Sequence, residues 1–128
     1  MPVPLYYGSK AVMSDPTRPV YLRLRDRIAE AILDGTYAEG AMLPSVRAFA
    51  AQQDANPLTV AKAYHLFQLD GLVEVRRGVG VMVRPGAAER LRRSERDAFL
   101  RHEWPQVRAR LERLGLSAAD LLTGSGAA

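Results

Sequence analysis

Apolar residues return every three or four positions between residues 19 and 34. Val20, Leu24, Ile28, Ala31 and Ile32 form one stripe, and Arg23, Arg27 and Glu30 fall opposite it. This period predicts an amphipathic helix from Pro19 to Asp34. A proline suits its first turn, where a missing N–H costs nothing, and Gly35 ends it. TYAEGAM reads as a connector with a turn at Gly40. A second helix starts at Ser45, a good N-cap, runs to about Gln53 and points Val46, Phe49 and Ala50 inward. Asn56-Pro57 marks a third start, with Asn as cap and Pro in the first turn. That helix reaches about Asp70, with Val60, Ala63, Tyr64 and Phe67 on its inner face, and closes at Gly71. The pattern then changes from helical to alternating. Leu72–Arg77 reads as a strand, Gly78-Val79-Gly80 as a turn and Val81–Val83 as the returning strand.

From Ala87 to about Gly115 the helical period resumes, with Leu91, Phe99, Leu100, Trp104, Val107, Leu111 and Leu114 as an imperfect stripe. Pro105 falls inside it, so either one bent helix or two helices meeting at His102–Trp104 are expected. Ser117-Ala118-Ala119-Asp120 resembles a capping box for a last short helix that carries Leu121 and ends at Leu122. The predicted fold is mostly α with a small β-hairpin (α+β). Its parts are a flexible N-terminal arm at 1–17, a winged helix-turn-helix at 18–85, a helical dimerisation extension at 86–123 and a disordered tail at 124–128. Within the arm, Leu5, Tyr6 and Tyr7 are the residues that could pack back onto the fold, and Met13, just before the compact part, is an alternative start.

Helix, sharp turn, helix and a hairpin tipped Arg-Arg-Gly is an order that places one helix in the DNA major groove and a basic wing beside it. Charge changes this picture only in part. The chain carries a net +4, with sixteen Arg and two Lys, but the excess lies in residues 76–113, where eleven Arg face five acids. A positive field draws a polyanion; an Arg-rich solvated helix face explains the same run. The 128 residues contain no cysteine, which excludes a disulfide framework, a thiolate zinc site and a cysteine nucleophile. No apolar run approaches the roughly 18 residues of a membrane span. MPVPLYYGSKAVM lacks the features of a signal peptide. A cytoplasmic protein is expected.

The candidate DNA contacts lie at the ends of these elements. Asn56, Leu58, Thr59 and Lys62 point outward on the third helix: Lys62 toward phosphate or guanine, Thr59 toward phosphate or a thymine methyl. Asn56 is explained equally by capping. Arg47, one turn into the second helix behind Ser45, suits bidentate contact with phosphate or guanine; a surface ion pair is the alternative. Arg76, Arg77 and Gly78, with Gly80 behind them, form the wing tip, where glycine lets the backbone approach DNA closely. His65 and His102 have no second ligand at metal spacing. No phosphate-binding loop and no nucleophilic triad is present. Neither an enzyme, a metal nor a cofactor is expected.

The segment LPSVRAFA…NPLTVAKAYHLFQLDGLVEVRRGVGVMV, preceded by PVYLRLRDRIAEAILDGTYAEGAMLPS, resembles the DNA-binding domain of the GntR family of bacterial transcriptional regulators. The shared features are Leu-Pro-Ser-x-Arg, Thr-Val in the recognition helix, a Gly-Leu at its end and an Arg-Arg-Gly-x-Gly wing. The Asn-Pro-x-Thr-Val-x-x-Ala-Tyr form and the short extension resemble its YtrA-like branch. The resemblance implies a homodimeric repressor of its own operon, often one encoding a transporter, that binds a palindromic double-stranded operator. It implies DNA contacts from Arg47, Thr59, Lys62 and the Arg77-Gly78 wing, and a dimer interface within Leu91–Leu122. One departure stands out: Gln53-Asp54-Ala55 replaces the usual Gly-Val of the turn. The alternative function is a winged-helix module that binds protein instead of DNA. A small-molecule effector between the C-terminal helices is left open.

Overall fold

In the computed structural model, residues 18–124 are described. The proposed arm at 1–17, with Leu5, Tyr6 and Tyr7, lies outside them, as do residues 125–128 of the proposed tail. The first helix, α1 (Val20–Leu33), follows Pro19. It buries Leu22, Leu24, Ile28, Ala29 and Ile32, while Val20 stays 45% exposed and leaves the expected apolar face. The buried surface is wider than one stripe because α1 is covered on two sides, by the third helix and by the first helix of the extension. That double cover also buries Arg25 and Asp26.

The next two helices are set by their caps. In α2 (Val46–Gln53), the Ser45 hydroxyl accepts from the Ala48 N–H at 3.0 Å. In α3 (Pro57–Leu69), Asn56 Oδ1 accepts from the Leu58 N–H at 2.8 Å. The turn between them runs through Asp54 at φ 53°, the only non-glycine residue with positive φ among the described residues. The Gln53-Asp54-Ala55 departure thus falls on a left-handed position that glycine occupies without strain. Asp54→Gly should stabilise the fold by about 0.5–1 kcal/mol, the relief of one strained residue. A rise of the thermal midpoint would show it; a fall would mean that the aspartate side chain contributes more than its backbone costs. Tyr64 locks the two helices together. Its ring meets Phe49 at 6.0 Å and its hydroxyl donates to the Pro44 carbonyl at 2.7 Å. Burial pushes its phenol well above the usual tyrosine range.

The wing is an antiparallel pair, β1 (Val73–Arg76) and β2 (Gly80–Val83), in register from Val73↔Val83 to Arg76↔Gly80. The connector read as a plain loop does more: residues 40–43 lie along β2. Leu43 N–H donates to Val81 at 2.8 Å, Val83 N–H to Ala41 at 2.9 Å, and Met42 bridges Met82. The hairpin edge is therefore covered, and the wing is fastened to the start of the helix-turn-helix.

The extension begins with α4 (Ala87–Ala98), which packs on α1. Leu91, expected in a dimer interface, is only 2% exposed and belongs to the core with Phe67, Ile28, Ile32, Val60, Val73 and Val83. The reason is geometric: α4 lies against the winged helix, so its apolar side faces inward. No local side chain caps α4; the Glu39 carboxylate does so, accepting from the Gly86 and Ala88 N–H groups at 2.8 and 3.2 Å. Beyond Ala98 the helix continues through a wide π turn, Phe99–Glu103, into α5 (Trp104–Arg113). Pro105 accounts for this. It has no N–H for the Arg101 carbonyl and its ring crowds that group, which a widened turn accommodates. Of the two expected outcomes at His102–Trp104, the chain remains helical without a break. The last helix, α6 (Ala118–Gly124), carries the expected box: Ser117 N–H donates to Asp120 at 2.8 Å and Asp120 N–H to Ser117 Oγ at 3.2 Å. The Ser117 bonds hold the Asp120 carboxyl below its ordinary value, so this cap is present above the carboxylate range and is lost as pH falls. No helix among the described residues is long and apolar enough to cross a membrane.

Candidate nucleic-acid interface

The edge formed by α2, α3 and the wing carries the outward residues named above. Arg47 is exposed and shares a shallow groove with Ala50, Ala51, Asp54, Ala55 and Pro57. One guanidinium therefore stands beside the start of α3. No carboxylate pairs with it among the described residues, so its charge is available to an anion. Ser45 and Asn56 are exposed but their oxygens are committed to caps, which leaves the Asn56 amide nitrogen without a partner among the described residues. Leu58 is 79% exposed, and Thr59 is half-buried with its N–H on the Asn56 carbonyl. Leu58 and Lys62, four residues apart, share one helix face.

Lys62 is not isolated there. Its ammonium lies 4.0 Å from the centre of the Tyr21 ring on α1. At the wing, Val79 N–H donates back to Arg76 at 2.8 Å, and Gly78 at φ 77° supplies the positive φ that the third residue of this turn requires. Gly80, at φ 141°, lies in a backbone region that a side chain enters only with strain; the Met42 terminal methyl, 2.8 Å from where a Cβ would stand, is the free end of a flexible side chain and can move aside. Arg76 Nε is 3.1 Å from Glu74, which offsets its charge. Arg77 is exposed and makes no ion pair among the described residues. The wing tip therefore offers Arg77 more than Arg76.

Contacts remote in sequence hold this edge to the extension. Arg90 of α4 donates to the Gly71 and Asp70 carbonyls at 3.1 and 3.0 Å and so caps the C-terminus of α3. Arg25 lies over the Phe67 ring and bonds Glu95 of α4 at 2.9 Å. Arg18 and Arg25 both bond the buried Asp26 carboxylate, at 2.7 and 3.2 Å. Burial raises the Asp26 carboxyl against the pull of both guanidiniums. Glu39, Arg90, Tyr21 and the Arg25–Glu95 bond escaped sequence reading because each partner lies 19 or more residues away with no fixed spacing, and Arg18 and Asp26, though eight residues apart, give no sign in the sequence that they are buried. By contrast, several arginines of the basic C-terminal run are occupied on their own helices. Arg92 and Arg93 pair with Glu89, Arg101 with Asp97 and Arg108 with Glu112. Along α4 and α5 the charge run is thus in good part a solvated helix face.

Comparison with known proteins agrees with this geometry. The family model for bacterial regulatory proteins of the gntR family matches residues 20–83, which is the stretch from the start of α1 to the end of β2. An uncharacterized HTH-type transcriptional regulator of Bacillus subtilis (strain 168), YhcF, is 29% identical over 114 residues, 84% of this chain and 88% of that protein. The HTH-type transcriptional repressor YtrA of the same organism is 36% identical over 78 residues, 59% of this chain and 60% of YtrA. The crystal structure of a transcriptional regulator from Oenococcus oeni matches with a TM-score of 0.68 at 30% identity, covering 88% of this chain and 92% of that one. A winged helix-turn-helix with an open, partly unpaired basic edge and these relatives have one common account: the chain belongs to the GntR family of bacterial regulatory proteins, is YtrA-like, and is a DNA-binding transcriptional regulator.

Proposed function

We propose that the protein is a homodimeric repressor that binds a palindromic operator in the control region of its own operon, in the cytoplasm. Arg47, the exposed start of α3 and the Arg77-Gly78 wing make the contacts. The carrying observation is the extension. α5 buries none of its residues, yet Phe99, Leu100, Trp104, Val107, Leu114 and Leu121 are exposed large apolar side chains, with Leu111 half-buried among them. Such a stripe is poorly placed in water. A second copy would cover it and give the pair a two-fold axis, hence two half-sites. The name of YtrA, a repressor, supports the sign of regulation.

The test is salt-titrated binding to the DNA upstream of the protein's own gene, against scrambled DNA. Arg47→Ala and Arg77→Ala should each weaken promoter binding by roughly five- to 150-fold, the equivalent of about 1–3 kcal/mol per contact. Equal weak binding to both DNAs would rule out autoregulation, and unchanged affinity in both variants would remove this edge as the DNA-reading surface.

A further inference from the structure

We propose that Tyr21, on the first helix, is a positioning residue for DNA binding: its ring holds the Lys62 ammonium at the margin of α3 so that Lys62 can take a backbone phosphate. This inference rests on the reading of the α2–α3–wing edge as the DNA-binding surface and extends that edge onto α1.

Three observations carry it. Lys62 Nζ stands 4.0 Å from the Tyr21 ring centre, well within the distance at which an aromatic face attracts a cation. No carboxylate pairs with Lys62 among the described residues, in contrast to Arg76, which Glu74 engages. The difference matters chemically. A carboxylate partner neutralises a cation, whereas a ring orients it and leaves its charge intact. Lysine otherwise loses much rotamer freedom on meeting a phosphate, so an ammonium already held in place binds at a lower entropic cost. The third observation is placement. Lys62 shares its helix face with the exposed Leu58, and Tyr21 lies in the first turn of α1, which no side chain caps. Helix N-termini favour negative charge, so the end of α1 adds a weak positive field beside the ammonium. The packing of α1 on α3 holds both residues in register.

The experiment is a salt titration of the full chain on a mixed-sequence DNA duplex, with Tyr21→Leu, Tyr21→Phe, Lys62→Ala and the Tyr21→Leu/Lys62→Ala double variant, and Arg77→Ala as a reference. Lys62→Ala should weaken binding on any sequence and flatten the slope of log affinity against log salt by about one. Tyr21→Leu should weaken binding roughly two- to fivefold when Lys62 is present, the worth of an exposed cation–ring contact. It should add nothing in the Lys62→Ala background. Tyr21→Phe keeps the ring and should bind as the unaltered chain does. Thermal midpoints of all variants separate this from loss of fold.

An unchanged salt slope in Lys62→Ala would overturn the proposal. So would a Tyr21→Leu loss that persists without Lys62, or a Tyr21→Phe loss equal to that of leucine, which would assign the effect to the hydroxyl. If Arg77→Ala weakens binding while the Tyr21 and Lys62 variants do not, the wing reading stands and this inference fails. If Arg77→Ala has no effect while Lys62→Ala flattens the slope and Tyr21→Leu weakens binding only in the presence of Lys62, the wing reading fails and this inference stands; a Tyr21→Leu variant that binds as the unaltered chain does overturns the inference whatever Lys62→Ala shows.

Discussion

Replacing Asp26 with alanine should destabilise the folded chain by about 3–5 kcal/mol, the loss expected when one partner of a buried ion pair is removed. Its carboxylate is almost fully buried and accepts from Arg18 Nε and Nη2 at 3.1 and 2.7 Å and from Arg25 Nη1 at 3.2 Å. Both guanidinium groups are also buried. Without Asp26, Arg18 loses these bonds. Arg25 retains Glu95 and the Phe67 face, so its charge is only partly compensated. Small domains are stable by only about 5–15 kcal/mol, so the change removes a large share. Urea unfolding followed by circular dichroism measures it. Asp26→Asn keeps a neutral acceptor and should lie between the two. A loss below about 1 kcal/mol in the alanine variant would mean that water reaches both guanidiniums and that the network is not a sealed one. Because Arg25 connects Asp26 on α1 to Glu95 on α4, the same variant should also loosen the extension from the winged helix.

If the protein is the homodimer proposed above, Trp104→Ala combined with Leu111→Ala should convert it to a monomer. A large interface aromatic commonly contributes about 2 kcal/mol or more and a half-buried leucine about 1 kcal/mol, so the two truncations together should weaken self-association by roughly a hundredfold or more. Trp104 is 37% exposed and α5 buries no residue, so the separate subunit should still fold, with a lower thermal midpoint that no longer depends on protein concentration because the stabilisation by dimerisation is lost. Promoter binding should fall as well. Two linked recognition helices engage the second half-site at a high effective concentration, and separate subunits do not. Light scattering reads the first effect and promoter titration the second. A variant that remains dimeric would place the interface elsewhere, and Leu91 could not supply it, since the core already encloses that side chain.

Much of the fold was legible because its signals are local. Ser45, Asn56 and the Ser117–Asp120 box act on N–H groups two or three residues away, and a helix start can be read from such spacing alone. Val60, Ala63, Tyr64 and Phe67 repeat with the helical period, so the inner face of α3 was visible before its partners were. The Arg77-Gly78 turn announces itself through the need for positive φ. The family motif runs through these same local features, and the outward positions of α3 followed from the inward ones.

Other parts depended on which surfaces meet. Leu91 has the same spacing as the stripe that follows it, yet it is buried, because α4 is clamped to the module by Glu39 and Arg90 before the helix leaves the core. Periodicity tells which face of a helix is apolar but not what covers it. Arg25 and Asp26 look like surface charges until α3 and α4 close over α1 from two sides. Residues 40–43 have no strand pattern and become a sheet edge only because β2 offers them hydrogen bonds. Lys62 reads as an outward cation, and only the packing of α1 on α3 brings Tyr21 beneath it. By itself the sequence determined the order of elements, their caps, the basic wing and membership in a family of DNA-binding regulators, since each follows from residues within a few positions of one another. The tertiary structure alone decided which charges are buried, which arginines remain available to DNA and where the apolar stripe emerges, because those depend on contacts between residues far apart in the chain.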